Sequence, residues 1–322
     1  MLVRSAQGLY WMSRYLERAR RLCRLLQLQT ESLVDRPIRE IHFGWSRIYA
    51  SVNRDPPAGR IELLGSDDYT LADSYTLAGD LTFERSNPDS VWSCFDQGRE
   101  NARQIRQSIS TPMWTQLNLA YLRLQELEMP DIWAVSPESF YADTVAQIDT
   151  FVGVAAATMY RGEGWRFMEL GRFVERAQLL AALLLAQLDA EQHVEEASDA
   201  DWTGLLRLCH AFEVYNRRYS VAVQPRQVLD LLVTDPRLPD SLGRSIDRAA
   251  EEIDAIGPGP DPDSSGALQR LAGRIGGVIH YQWPDHDDCQ ALLEQVRTHC
   301  YELHDRVTAA YFDYAIEDAP AS

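Results

Sequence analysis

Arg14-Tyr15-Leu16-Glu17-Arg18-Ala19 returns 158 residues later as Arg172-Phe173-Val174-Glu175-Arg176-Ala177. Each copy lies inside an apolar three-four spacing. In the first it runs Leu9, Met12, Leu16, Ala19, Cys23, Leu26 and Leu33, with only Thr30 out of character. In the second it runs Phe167, Leu170, Val174, Ala177, Ala181, Leu184 and Leu188. That period belongs to an amphipathic helix, so both copies read as long helices with one apolar seam. Outward from the motif the parallel continues in order. Trp45 matches Trp202, Pro88-Asp89-Ser90 matches Pro239-Asp240-Ser241, Asp96 and Glu100 match Asp247 and Glu251, and Ala157-Thr158-Met159-Tyr160 parallels Ala309-Ala310-Tyr311-Phe312. A preserved order at a nearly constant offset is the signature of tandem duplication. The expected class is all-α, built as two tandem pseudo-symmetric helical-bundle repeats of about 155 residues. The repeats are 1–161 and 162–322, packed as one unit with the junction near Gly162.

Punctuation along the chain supports helix after helix. Thr111-Pro112, Ser136-Pro137 and Gln224-Pro225 place proline in a first helical turn, where its missing N–H costs nothing. Breaks are expected at Asn53-Arg54-Asp55-Pro56-Pro57, at Met129-Pro130-Asp131 and at Arg161-Gly162-Glu163-Gly164. Gly257 through Asp263 reads as an exposed loop, and Arg60–Leu64 is the sole strand candidate.

Within each motif the charges fall at i, i+3 and i+4, which puts Arg14, Glu17 and Arg18 on one helical face and Arg172, Glu175 and Arg176 on another. Counted from Leu9, Arg14 falls on the outer side of its helix. Three readings stay open: a solvated face with weak pairs along the helix, a buried Arg–Glu–Arg lattice fixing helix register, or a site for an anion or partner. A second basic row, Arg99, Arg103 and Arg106, is confined to the first copy; its counterparts are Ala250, Asp254 and Gly257. It reads either as an exposed helix face or as a phosphate or carboxylate site.

Composition narrows the chemistry. The 322 residues carry 48 acids against 31 bases, a formal charge of −17, and every base is arginine. That field repels nucleic acid and anionic membranes. Without lysine there is no Walker A lysine and no Schiff base. Five scattered cysteines without a C-x-x-C pair fit reduced thiols in a cytoplasm. The N-terminus does not read as a signal peptide, and no apolar run is long enough to span a membrane. His299 and His304 belong to no H-E-x-x-H or paired E-x-x-H pattern, so no metal site is expected. The cluster Asp285-His286-Asp287-Asp288-Cys289 reads as helix capping and solvation. Tyr215 and Tyr219 read as core. No self-sufficient catalytic set appears. Glu17 and Glu175 are the candidate acids or bases, and flanking guanidinium groups make each a poor general acid at neutral pH.

On Tyr10-Trp11 with the first motif, Gly164-Trp165 and Gly171 with the second, Arg99-Glu100-Asn101-Ala102-Arg103, and Ser108-Ile109-Ser110 through Trp114 and Asn118, the chain resembles the bacterial alpha-E family. The resemblance covers essentially the whole chain, with Ser13 standing where the second copy has Gly171. It implies an all-helical domain encoded beside a circularly permuted ATP-grasp protein and often a transglutaminase-like peptidase. The implied role is that of an accessory or co-catalytic subunit of an ATP-dependent amide- or peptide-forming system. Such a subunit would have no intrinsic cofactor, and any ATP and Mg would come through the partner ligase. A stand-alone enzyme using Glu17 or Glu175, and a purely structural scaffold, are the alternatives.

Overall fold

The computed structural model describes residues 1–57, 67–193, 199–285 and 287–313. These form α-helices and short helical turns, with no strand among them. The strand candidate Arg60–Leu64 lies outside the described residues, as does His286. No helix among the described residues is long and apolar enough to cross a membrane.

Two long helices organise the rest: α1 (Val3–Glu31) and α8 (Glu163–His193). They pack along each other. Around α1 lie α2 (Ile38–Ser51), α4 (Val91–Gln104) and α7 (Pro137–Thr158); around α8 lie α2, α12 (Leu242–Ile256) and α14 (Cys289–Tyr311). The remaining helices form an outer layer: α3 (Asp67–Thr82), α5 (Thr111–Gln125), α6 (Met129–Trp133), α9 (Asp199–Leu208), α10 (Phe212–Arg218), α11 (Pro225–Thr234) and α13 (Pro262–Gly277).

The expected seams are buried in both long helices, except that Leu33 lies past the end of α1 and is half-buried, as is Leu188. Thr30 is also buried, and its hydroxyl is satisfied by donating to the Leu26 carbonyl at 2.9 Å. Burial does not stop at the seam. Leu180 through Ala186 are buried without interruption, the pattern of a helix surrounded by others. At the crossing of α1 and α8 the backbones nearly touch: a Cβ on Gly171 would lie 2.3 Å from the Tyr10 carbonyl oxygen and 2.5 Å from Ser13 Oγ.

Helix starts follow the punctuation. Ser110, Ser136 and Ser241 each accept from the backbone N–H three residues on, and Pro112, Pro137 and Pro225 lie in the first turn. Two expected breaks are corrected. Met129-Pro130-Asp131 is itself a short helix, capped through Glu128 and Asp131. The expected loop ends at Asp261, whose side chain accepts from the N–H groups of Asp263 and Ser264; Pro262 then opens α13. In both places proline occupies a first turn, the one helical position that tolerates it. Asp288 caps α14 in the same way, as its place in the acidic cluster suggests.

Candidate functional site

The two motifs meet each other. Glu175 on α8 accepts from Arg14 Nε and Arg18 Nε of α1, both at 2.6 Å, one on each oxygen. In return, Glu17 on α1 accepts a two-pronged contact from Arg176 of α8, Nε at 2.8 Å and a terminal nitrogen at 3.0 Å. The Glu-Arg dipeptide of each long helix thus pairs with that of the other. Arg14 also donates to Gln178 Oε1 at 2.6 Å, and Gln178 Nε2 donates to the Cys300 carbonyl at 2.9 Å, tying α14 to the pair. Arg176 reaches the Pro239 carbonyl at 3.1 Å and Asp240 at 3.2 Å, just before α12.

Arg14, Glu17, Glu175 and Arg176 are buried. Placing Arg14 on the outer side of α1 is therefore corrected: α1 is enclosed by α4, α7 and α8, so its far side meets protein rather than water. Of the three readings of the motif face, the lattice is the one observed. Burial alone pushes the Glu17 carboxyl up, but Arg176, Arg20 and Arg21 outweigh it and hold it down at about 2. For Glu175 the same balance against Arg18 and Arg14 gives about 2. Anionic and buried among guanidinium groups, neither glutamate has a proton to give at neutral pH.

The third charge breaks the symmetry. Arg172 does not pair with Glu17; it donates to Glu169 on its own helix at 2.6 Å. Three residues before Arg14 stands Trp11, and its ring lies 4.8 Å from the Arg14 guanidinium carbon. The indole offers a cation–π surface and no acceptor, so Arg14 reaches across to α8, whereas Glu169 captures Arg172 locally. Burial raises the Glu169 carboxyl, and Arg172 only partly offsets it.

The Arg99, Arg103 and Arg106 row is a separate ledge on α4 and the turn after it. Arg99 donates twice to Asn118 Oδ1, at 3.1 and 3.0 Å, and lies over the rings of Trp114 and Tyr121. Arg106 lies over Trp114, and the exposed Arg103 pairs with Glu100 at 2.6 Å. Among the described residues, none of the three pairs with a lattice member. His304 accepts from or donates to Tyr10 Oη at 3.0 Å, and burial with Arg14 nearby holds it down at about 4. Tyr215 is buried as expected, while Tyr219 is half-buried. No group of three or more His, Cys, Asp or Glu able to hold a metal occurs among the described residues.

One cleft went unread in the sequence. It is an open depression of about 650 Å³ between α2, α8 and α14. Ala182, Leu185 and Ala186 supply apolar wall; Arg54, Asp55, Asp189 and Arg297 supply charge. Arg297 is half-buried with no carboxylate in ion-pair range among the described residues. Arg54 is half-buried, its Nε lacks a hydrogen-bond partner, and a terminal nitrogen lies 3.6 Å from Asp89. Asp89 in turn accepts from Arg18 at 2.5 Å. A continuous chain, Glu175–Arg18–Asp89–Arg54, therefore runs from the buried lattice to the cleft wall. Arg54 lies in an expected chain break and Arg297 in the middle of α14; no linear spacing joins them.

Comparison with known proteins agrees with this architecture. Residues 1–312 match the Alpha-E model, described as a predicted alpha-helical domain with a conserved ER motif. Uncharacterized proteins of Mycobacterium bovis and Mycobacterium tuberculosis are 27% identical to the chain over 328 residues, covering 97% of it. The chain spans 36% of the length of these curated relatives. No solved structure matches it. With the match covering nearly all of the sequence, and with Glu17-Arg18 and Glu175-Arg176 as its Glu-Arg dipeptides, the chain belongs to the Alpha-E family.

Proposed function

We propose that the chain is a non-catalytic binding subunit of an ATP-grasp-type amide- or peptide-forming ligase system, holding a carboxylate-bearing substrate or peptide while the partner performs the chemistry. The observation that carries this reading is the cleft, where Arg54 and Arg297 reach one polar space from different elements. Two guanidinium groups suit a carboxylate. Asp55 and Asp189 on the same wall suit the ammonium or amide end of an amino acid or peptide. A stand-alone enzyme built on Glu17 or Glu175 is disfavoured by the burial of both carboxylates and their pairing with arginines, which keeps them ionised. ATP and Mg belong to the partner, a circularly permuted ATP-grasp protein, with a transglutaminase-like protein as a second associate. Neither nucleic acid nor membrane is a partner of a chain with this net charge. Five free cysteines, four of them buried, support a reducing cytoplasm.

The same proposal takes 1–161 and 162–322 as duplicated repeats. Support comes from matched roles: Trp45 and Trp202 are both fully buried, and Ser90 and Ser241 both cap helices. Co-expression with the ligase and co-purification tests the partnership, and separate elution at micromolar concentration contradicts it. Calorimetric titration of the purified chain with short peptides tests the cleft. Arg297→Ala is expected to weaken binding about tenfold, the loss of one charge-assisted contact; unchanged affinity refutes the assignment.

A further inference from the structure

Arg14, Arg18, Arg36 and Arg176 are each paired with a carboxylate of the chain itself. On the ledge of α4 and α5 the arginines are spent differently. Arg85 and Arg106 have neither an ion pair nor a hydrogen bond among the described residues, and Arg99 bonds the neutral amide oxygen of Asn118. All three lie over aromatic rings instead. The Arg85 guanidinium carbon is 4.4 Å from the centre of the Trp92 ring and that of Arg106 is 4.8 Å from Trp114. Arg99 is 5.4 Å from Trp114 and 4.9 Å from Tyr121. A ring face holds a guanidinium in place without using its N–H groups, so the donor edge stays open for a carboxylate.

These arginines share one surface. Arg99 and Arg106 meet the same Trp114 ring, and Arg99 and Arg85 both act on the Tyr121 hydroxyl, which burial and Asp96 raise and the two arginines lower. Of the acids nearby, Glu100 is taken by Arg103 and Glu84 accepts from the Ser86 backbone N–H. Asp96 is then left beside Arg85, Arg99 and Arg106, an excess of positive charge on a chain of formal charge −17. Such a patch attracts a negatively charged partner. Helix α5 adds apolar surface to it: Leu122, one turn beyond Asn118, is 44% exposed and Leu119 is 50% exposed. Arginine, tryptophan and tyrosine are enriched where proteins bind one another, and the exposed leucines offer area that apolar side chains can cover. The residues 151 positions further on, Ala250 and Gly257, carry no charge in place of Arg99 and Arg106.

We propose that the Arg85, Arg99 and Arg106 ledge is the docking surface for an acidic segment of a partner protein, one with apolar side chains among its Glu and Asp residues. The carboxylates of the segment meet the open donor edges of the arginines, and its apolar side chains cover Leu119, Leu122 and the edge of Trp114. The ledge is separate from the Arg54–Arg297 cleft, so the failure of either leaves the other standing.

The test is fluorescence anisotropy of the full chain with a labelled peptide of glutamate pairs separated by single leucines. Binding at micromolar concentration is expected at low ionic strength, weakening as salt is added. The same peptide with lysine in place of every glutamate is expected not to bind. Arg106 is exposed and donates to no group of the chain, so Arg106→Gln folds normally; it weakens peptide binding about tenfold. Arg217→Gln, the same charge change at an exposed position on α10, leaves binding unchanged. The proposal is overturned by no binding of the acidic peptide at millimolar concentration, or by equal effects of Arg106→Gln and Arg217→Gln, which would mean diffuse attraction. A single-stranded thymidine oligonucleotide that displaces the peptide also overturns it, since the ledge would then be a nucleic-acid surface.

Discussion

Glu175 divides its two oxygens between two arginines of the opposite helix, and its removal leaves both without their counter-charge. Breaking a buried ion pair by deleting one partner costs about 3–5 kcal/mol. Glu175→Gln is expected to lose stability of that order in urea unfolding, against no measurable loss for Arg103→Ala, whose pair with Glu100 is exposed. The acid response separates into two windows. Glu17 and Glu175 sit at about 2 when folded against an ordinary 4.5, so their stabilisation is complete above 4.5 and lost as pH falls toward 2. His304 is held at about 4 against 6.5. The unfolded chain binds its proton first, so stability also falls as pH drops from 6.5 to 4. His304→Gln is expected to flatten that upper window in a urea midpoint-versus-pH series and to leave the lower one intact. His210, lowered by burial and Arg24, keeps a residual slope. The motif charges themselves were legible from their i, i+3, i+4 spacing, but their burial was not. A helical wheel records which residues share a face, not how many helices enclose it. The Trp11-for-Glu169 difference was visible too, yet its consequence for Arg14 and Arg172 required both helices in place.

Among the elements, α1 and α8 were the easiest to read, because the seam repeats over many turns. Harder were prolines that begin a helix inside a run resembling a loop. Pro262 follows a capping aspartate exactly as Pro137 follows a capping serine, but the surrounding glycines and prolines obscure it. The crossing of α1 and α8 rests on a residue without a side chain. Because Cβ at 171 would collide with the Tyr10 carbonyl oxygen and Ser13 Oγ, Gly171→Ala is expected to force the helices apart at a cost of about 1–3 kcal/mol. A chemical denaturation midpoint equal to that of the unmodified chain would show that the crossing tolerates a methyl group.

For the whole molecule, the lattice and the cleft both bridge the proposed repeats. Glu17 and Arg176 come from opposite sides of Gly162, and the cleft takes Arg54 from one side and Arg297 from the other. Fragments 1–161 and 162–322, expressed separately, are therefore expected to lack cooperative thermal transitions, since each would expose unpaired lattice charges and the bare flank of a central helix. A sharp melt from either half alone would contradict this. Function was least legible at this scale: Arg54 and Arg297 are remote in sequence, and folding alone brings them to one wall. The two Glu-Arg dipeptides clamp α1 to α8. A double-mutant cycle of Glu17→Leu and Arg176→Met, read by urea unfolding at neutral pH, tests it most directly. A favourable coupling of about 1–3 kcal/mol is predicted. Additivity within about 0.5 kcal/mol would mean that the two side chains do not depend on each other and that the clamp does not exist.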